Sequence, residues 1–373
     1  MPLAEVATVI NGGTPKSKVA EYWGGDIQWL TPKDMGRMDG REIGETPRRI
    51  SESGLCNSSA RLVPARSVIL STRAPIGHLA VNTVPMAFNQ GCRGLVPGES
   101  LDHLYLYYFL LANRALLESL GTGTTFKELS SSNLKSVKIP LPPLEDQRRI
   151  VAVLDEAFVG LARARAHAEA NLADARELFS NTLSHEFWKE SGNWPAKSIS
   201  EIAENLDRLR VPITKKDRNP GSIPYYGASG VVDHVADFIF DQDLLLVSED
   251  GANLLARTYP IAFSISGKSW VNNHAHVLRF ADLDSQEYVR LYLNAISLEP
   301  YVSGMAQPKL NQKALNRIPI PWPTPETRSA IVAKAAWLSS RTEELHQHYS
   351  GKIVHLDALR QSLLQKAFSG GLT

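Results

Sequence analysis

The sequence predicts an α+β chain in which two strand-rich domains alternate with two long helices, organised as an internal pseudo-two-fold repeat. Three observations carry this. Residues 134–151 (LKSVKIPLPPLEDQRRIV) return at 315–332 (LNRIPIPWPTPETRSAIV), with seven of eighteen positions identical at a constant offset of 181 residues. Self-similarity at a fixed spacing marks a duplicated unit. A proline-free stretch rich in Ala, Arg, Glu and Leu follows the first copy, and a similar helix-forming stretch follows the second. Short apolar runs broken by Gly and Pro precede both copies.

The repeat extends in both directions. Upstream it pairs Tyr107 with Tyr288, Leu110 with Leu291, Asn113 with Asn294, Leu117 with Leu298 and Gly123 with Gly304. Downstream it pairs Leu178 with Leu359, Leu183 with Leu364 and Phe187 with Phe368. Residues 105–187 thus match 286–368, whereas 1–104 and 188–285 match poorly, apart from LAEVA at Leu3 and ISEIA at Ile199. A common scaffold with two diverged parts fits two related readers of different targets, or a duplication kept only for packing.

In the first diverged part, GGDIQWLTP, ARSVILSTRAPIG and HLAVNTVPMAFNQG read as short strands and long loops; SIPYYGASGVV, DLLLVSEDGANLL and SWVNNHAHVLRF do so in the second. Short helices are expected at 104–120 and 285–297. From 145 to 187 there is one Gly and no Pro, and the composition favours helix. A seam with spacings of four and three runs through Ile150, Leu154, Ala157, Leu161, Ala164, Ala168, Asn171, Ala175 and Leu178. Its partner runs through Ile331, Ala335, Leu338, Thr342, Leu345, Tyr349, Lys352, Leu356, Leu359 and Leu363. An average spacing of 3.5 is a coiled-coil pattern, so the helices are expected to pair with each other. Thr324 and Pro325 fit an N-cap and first helical residue, and Gly370-Gly371 a helix end. Each helix would reach about 60 Å. The expected boundaries are 1–143, 144–187, 188–324 and 325–373.

Composition excludes several classes. Hydrophobic content of 43% and charged content of 21% fit a globular chain. No apolar run reaches membrane-spanning length, and MPLAEVATVINGG lacks the pattern of a signal peptide. Two cysteines outside any CxxC spacing fit a reducing cytoplasm. The net charge is only +1, but basic residues cluster locally: Arg37, Arg41, Arg48, Arg49, Arg61, Arg66 and Arg73 in the first part, Arg208, Arg210, Lys215, Lys216 and Arg218 in the second. Such clusters on a neutral whole are solvated surface or phosphate-binding faces.

No catalytic pattern stands out. There is no (D/N)PP(Y/F) tetrapeptide of an amino-methyltransferase, no GxGxxG or GxxxxGK[ST] loop and no nucleophile elbow. NNHAH resembles a nuclease or metal-binding fragment but lacks a further ligand at metal spacing. The reading is therefore not an enzyme, with no cofactor and no metal.

GGTPKSKVAEYWGGDIQWLTPKDM, STRAPIGHLAV, FNQGCRGL, KIPLPPLEDQRRIV, IPYYGASGVVDHV, SEDGANLL and LRQSLLQKAFSG together resemble the specificity subunit of Type I restriction–modification systems, in order and over nearly the whole chain. The resemblance implies two target-recognition domains, each reading one half of a split site in double-stranded DNA, and two helical spacers paired antiparallel. It also implies a non-catalytic subunit that holds two methyltransferase subunits and, in the full complex, restriction/translocase subunits. The chain departs from the pattern at its start: GNWPAKSISEIA introduces the second domain, but the first begins at PLAEVA. A spacer of about 60 Å exceeds one DNA turn of about 34 Å, so separated half-sites are within reach.

The residues expected to contact DNA lie in Gly- and Pro-rich strand ends. In the first domain they are Thr31, Lys33, Asp34, Thr72, Arg73, Gln90 and Arg93; in the second, Tyr225, Tyr226, Ser229, Asp250, Asn253, Asn273, His274 and His276. Arg suits guanine, and Gln suits adenine. Lys127 in GTGTTFK and Lys309 in SGMAQPK suit phosphate. Core packing of Tyr225 or Tyr226, turn capping by Asp250 and a simple ion pair at Arg73 are the structural alternatives. Pro142, Glu145, Pro323 and Glu326 are the expected docking points for protein partners, with a helix-dipole role for the two glutamates as the alternative. The competing function is a coiled-coil adaptor whose heads bind protein.

Overall fold

The computed structural model describes residues 1–123, 127–188, 193–304 and 307–371, with backbone alone at 176, 180, 183 and 186–188. Thr124–Phe126 of GTGTTFK, Met305 and Ala306 of SGMAQPK, and the side chains of the repeat-paired Leu183 and Phe187 lie outside the described residues. The chain divides into two compact units, Met1–Ala168 with Gly351–Thr373, and Glu169–Ser350. Both long helices, Leu144–Trp188 and Pro325–Phe368, contribute to both units.

The first unit holds strands β1 (Ala7–Asn11), β2 (Trp23–Leu30), β3 (Glu42–Ile43), β4 (Arg49–Ile50), β5 (Val68–Thr72), β6 (Ile76–Asn82), β7 (Met86–Phe88) and β8 (Cys92–Pro97). They form a five-stranded sheet, β1-β8-β5-β6-β3, and a three-stranded one, β4-β2-β7. All five residues of β5 are buried. Successive strand residues point to opposite faces, so Val68 and Leu70 enter one core while Ile69 enters another with Leu30, Met35, Phe88 and Cys92. Two covered faces explain the unbroken apolar run VIL. The first core is closed by helix His103–Ala112, by Ile150 and Leu154 of the first long helix and by Leu364 and Ala367 of the second. Asp102 caps His103–Ala112, accepting from the N–H groups of Leu104 and Tyr105. The ring of Phe368 packs on Tyr105 and Phe109, at centroid distances of 5.1 and 5.6 Å. The first residues pack back onto the proline-rich junction: the Met1 amino group donates to Ile139 O (2.7 Å) and Leu3 N–H to Val137 O (2.8 Å).

Within this unit Arg165 pairs with Asp357 (2.7 Å), and the Arg360 guanidinium lies 4.9 Å from the Phe158 ring centre. The two helical segments therefore run in opposite directions. Arg41 and Tyr108 both hydrogen-bond Asp155, tying the strand-rich part to the first long helix. The expected seam drifts: Leu359 is 48% exposed, and Leu364 and Ala367 are buried instead. A straight helix turns away from a strict 3.5-residue repeat by about 20° per heptad, which accounts for the slip.

The second unit holds β9 (Ala196–Ser198), β10 (Glu204–Asn205), β11 (Pro220–Gly227), β12 (Gly230–Val235), β13 (Phe240–Asp241), β14 (Leu244–Ser248), β15 (Ala262–Ile265), β16 (Lys268–Val271), β17 (Ala275–Arg279) and β18 (Pro319–Pro321). The sheets are β10-β17-β14-β15, β12-β11-β16-β13 and β18-β9. β14 is buried throughout, with Leu245 and Val247 in the core that includes Tyr288 and Tyr292 of helix Leu283–Ala295, and Leu244 and Leu246 in a second core. Ile331 and Ala335 of the second long helix join the former, with Phe179 of the first packed against it, whereas Leu178 is 61% exposed. The second long helix starts at Pro325, with Thr324 Oγ1 accepting from Thr327 N–H.

Candidate nucleic-acid interface

In the first unit, three connections converge at one end of the sheet. Thr72 N–H, at the end of β5, donates to Gly91 O between β7 and β8, and Leu129 N–H donates to Thr72 O. Gly12 and Gly13 bring the segment after β1 against the same place, donating to Cys92 O and Phe88 O. A Cβ at Gly12 would stand 2.0 Å from Asn89 O, and one at Gly13 2.2 Å from the backbone at Ser59 and Ala60, so only glycine allows this approach.

Around this junction Arg73 and Arg93 flank Glu128, at 3.8 and 3.7 Å. Arg93 also donates to the carbonyls of Gln90 and Cys92, and burial pulls its guanidinium below its ordinary pKa. Gln90 is exposed and accepts a hydrogen bond from Thr14. Lys33 and Lys127 are exposed. Thr31 is corrected as a reader, and Asp34 beside it is half-buried. They form a capping box on helix Pro32–Met35, each side chain bonded to the other's backbone, and Thr31 is only 4% exposed. Thr72 is fully buried, its hydroxyl bonded to Gly91 O.

A groove of about 400 Å³ opens nearby, lined by Ser17, Trp23, Gly24, Pro47, Arg48 and Arg49. Arg48 lies 4.7 Å from the Trp29 ring centre and 5.9 Å from that of Trp23, and the two indoles meet edge to face at 5.0 Å. Trp23 Nε1 donates to Lys16 O, so the segment carrying Thr14 links Gln90 to this groove. Among the described residues no carboxylate pairs with Arg48 or Arg49. Cationic side chains interleaved with aromatic rings suit a nucleic-acid backbone. In the sequence these arginines stand out only as part of a basic cluster.

The second unit builds the corresponding junction with other chemistry. Glu249 N–H donates to His274 O and Leu310 N–H to Glu249 O. Asp250 holds His274 Nδ1 at 2.8 Å, with His274 exposed. Lys309, also exposed, pairs with Glu249 at 3.3 Å. Ser229 is exposed and donates to Tyr259 Oη; Asn273 is exposed and Tyr226 half-buried.

Three expected contacts in this unit are corrected. Tyr225 is 1% exposed, its hydroxyl accepts from Ile213 N–H, and Arg218 covers its ring at 4.3 Å. Asn253 is 8% exposed and organises its own turn, donating to Tyr259 O and accepting from Thr258. His276 is 1% exposed, with Nδ1 2.6 Å from Asp207 and Nε2 2.7 Å from Leu310 O. NNHAH thus splits its histidines between surface and interior. Among the described residues no group of three or more His, Cys, Asp or Glu is placed to hold a metal.

Beneath the surface, Arg210 bonds Glu249 (2.7 Å) and Ala275 O, and Asp207 also accepts from Val277 N–H. Burial pushes the Asp207 carboxyl up, but the hydrogen bond and charge of His276, the Val277 N–H and Arg210 outweigh it and hold the carboxyl below its ordinary range.

At the proposed partner junctions Glu145 and Glu326 are exposed, Pro142 is half-buried and Pro323 is buried, so its ring is removed from any docking surface. Two residues missed by the sequence reading shape these turns. Gln147, fully buried, accepts from Asp102 N–H and donates to the carbonyls of Ser100 and Pro142. Arg328, at the same place in the second copy, donates to Pro323 O (2.7 Å) and stacks 4.1 Å from the Trp322 ring centre. The residue types differ, so an identity search passes over them.

Among the described residues no helix is long and apolar enough to cross a membrane. Residues 1–161 and 191–350 match the family described as Type I restriction modification DNA specificity domain. The Type I restriction enzyme MjaIX specificity subunit of Methanocaldococcus jannaschii is 30% identical over 74% of this chain and 68% of its own length. The EcoprrI specificity subunit of Escherichia coli is 25% identical over 89% and 85%. In fold the chain is similar to the HsdS subunit from Thermoanaerobacter tengcongensis, with TM-score 0.63 at 18% identity over 100% of this chain and 96% of that one. It is also similar, with TM-score 0.78 at 18% identity over 100% and 97%, to a structure described in a study of complex assembly and conformational transition of the type I R-M system. The chain belongs to the Type I restriction–modification DNA specificity family.

Proposed function

We propose that the chain is a non-catalytic subunit that reads a split site in double-stranded DNA, one part by each strand-rich head. In this reading it positions two methyltransferase subunits and, in a full complex, the restriction/translocase subunits. Residues 1–143 and 188–324 are the target-recognition domains; 144–187 and 325–373 are spacers that pair as an antiparallel coiled coil. The side chains that reach the surface at the two junctions are the DNA contacts: Lys33, Arg73, Gln90 and Lys127 in one, with the 12%-exposed Arg93 beneath them, and Tyr226, Ser229, Asp250, Asn273, His274 and Lys309 in the other. Glu145 and Glu326, with the exposed helix faces beside them, are the partner contacts.

The observation that supports this reading best is that both heads carry the same strand order, β1-β8-β5-β6 and β10-β17-β14-β15, and end in the same loop junction with different side chains. A shared frame with exchanged tips is what two readers of different half-sites need. Enrichment of the full chain's targets from a random duplex library tests it. The expected product is a motif of two defined parts separated by a fixed gap; no enrichment would favour an adaptor whose heads bind protein. Incubation of the chain alone with DNA and S-adenosylmethionine or Mg²⁺ is expected to give no turnover, and any product would contradict the non-catalytic role.

A further inference from the structure

The short connections before β8 and β17 are superimposable in their bonding. Each has three residues, Asn89-Gln90-Gly91 and Asn272-Asn273-His274. The first residue's N–H is held by the end of a neighbouring strand, Asn89 by Leu30 O (2.9 Å) and Asn272 by Tyr226 O (3.0 Å). Its side-chain oxygen accepts from the third residue's N–H, at 2.7 Å from Gly91 and 2.8 Å from His274. The third residue's carbonyl accepts across the junction, from Thr72 N–H at the end of β5 (2.8 Å) and from Glu249 N–H one residue beyond β14 (2.9 Å). First and third positions are therefore pinned through the backbone and an asparagine turn. The middle position is pinned by its neighbours and presents its side chain to solvent in both heads.

Both middle residues are carboxamides. This is the side chain with a donor and an acceptor side by side, the match to adenine N6–H and N7 in the major groove. Thr14 donates to Gln90 Oε1, which fixes the amide yet leaves Nε2 and the second lone pair of Oε1 available. Asn273 makes no side-chain hydrogen bond with the described residues. Around these amides the heads differ: Arg73 and Gly91 on one side correspond to Asp250 and His274 on the other. A common carboxamide among exchanged neighbours marks a shared element of two otherwise different targets.

We propose that Gln90 and Asn273 are equivalent adenine-reading residues, so that each part of the DNA site contains an A·T pair at a corresponding place. This rests on the DNA-recognition reading above. The test is target enrichment by the full chain, in wild-type form and as Gln90→Ala, Gln90→Glu and Asn273→Ala. The wild type is expected to enrich an A·T pair in both parts. Gln90→Ala should lower preference for that pair about tenfold to a hundredfold in one part only, and Asn273→Ala in the other only. Gln90→Glu, which keeps the size but replaces the donor, should shift the same position towards C·G, since a carboxylate accepts from cytosine N4. A wild-type motif lacking A·T in either part, or variants with an unchanged motif, would overturn the assignment while leaving DNA recognition standing. A wild type that enriches nothing would remove both.

Discussion

The two heads solve one problem with different interiors. Each hangs its loops on a central strand buried on both faces, β5 or β14, and each pins the same three-residue connection with an asparagine. Beneath the loops they diverge. The first head supports its junction with Arg93, which donates to two carbonyls and stands beside Glu128. The second uses a buried polar network of His276, Asp207, Arg210 and Glu249. The end of the adjoining loop is Glu128 in one and Lys309 in the other, a charge reversal at an equivalent backbone position. Backbone hydrogen bonds define the frame, and side chains are free to change wherever they do not make those bonds.

The sharpest way to break this contrast is to remove the second head's buried network. Asp207→Ala strands His276 and the Val277 N–H, and is expected to cost about 3–5 kcal/mol, read by hydrogen exchange of amides in β14 and β17. The equivalent place in the first head has no such carboxylate, so protection of β5 and β8 should be unchanged. The same carboxyl gives a pH signature. Its folded pKa is depressed, so its stabilisation is present above the unfolded value of about 3.9 and is lost as pH falls through the lower folded value. The second head should therefore lose protection in acid to a degree that Asp207→Ala abolishes.

The junction turns come next. Gln147→Ala leaves Asp102 N–H and two carbonyls without partners and is expected to cost about 2–3 kcal/mol by chemical denaturation. The basic groove of the first head should affect binding rather than folding. Replacing Arg48 and Arg49 by Gln is expected to lower the slope of log K against log salt by about 2 and to leave the enriched motif unaltered, as phosphate contacts do. Smallest of all, Leu359→Ser on the nominal seam should change stability by no more than about 0.5 kcal/mol because the side chain is half exposed. Leu364→Ala, five residues on, should cost about 2–5 kcal/mol.

Much of this was legible beforehand. The proline-rich junction and helix-forming composition placed both long helices, and the Gly- and Pro-punctuated runs placed the strands around Leu70 and Leu246. The equivalence of the heads was not legible, and the reason is loop length. The offset is 181 residues at Glu128 and Lys309, but 177 at Ser71 and Ser248 and 183 at Asn89 and Asn272. At Leu3 and Ile199 it is 196, so a search at constant spacing loses the heads among insertions of different length. Burial of polar side chains was the other blind spot. Thr72, Tyr225, Asn253 and His276 have the residue types of a reader, but each satisfies a neighbouring backbone group, which only the three-dimensional path reveals. Thr31-Pro32-Lys33-Asp34 has the residue types of a base-contacting tip and equally those of a helix start, and the structure uses it as a helix start.

The two frames are expected to act independently, each with its own tips. Exchange of residues 1–104 for the corresponding stretch of another family member, followed by enrichment of bound duplexes, addresses this most directly. One part of the motif should change while the other part and the intervening gap stay as they were. A change in both parts, or in neither, would contradict it.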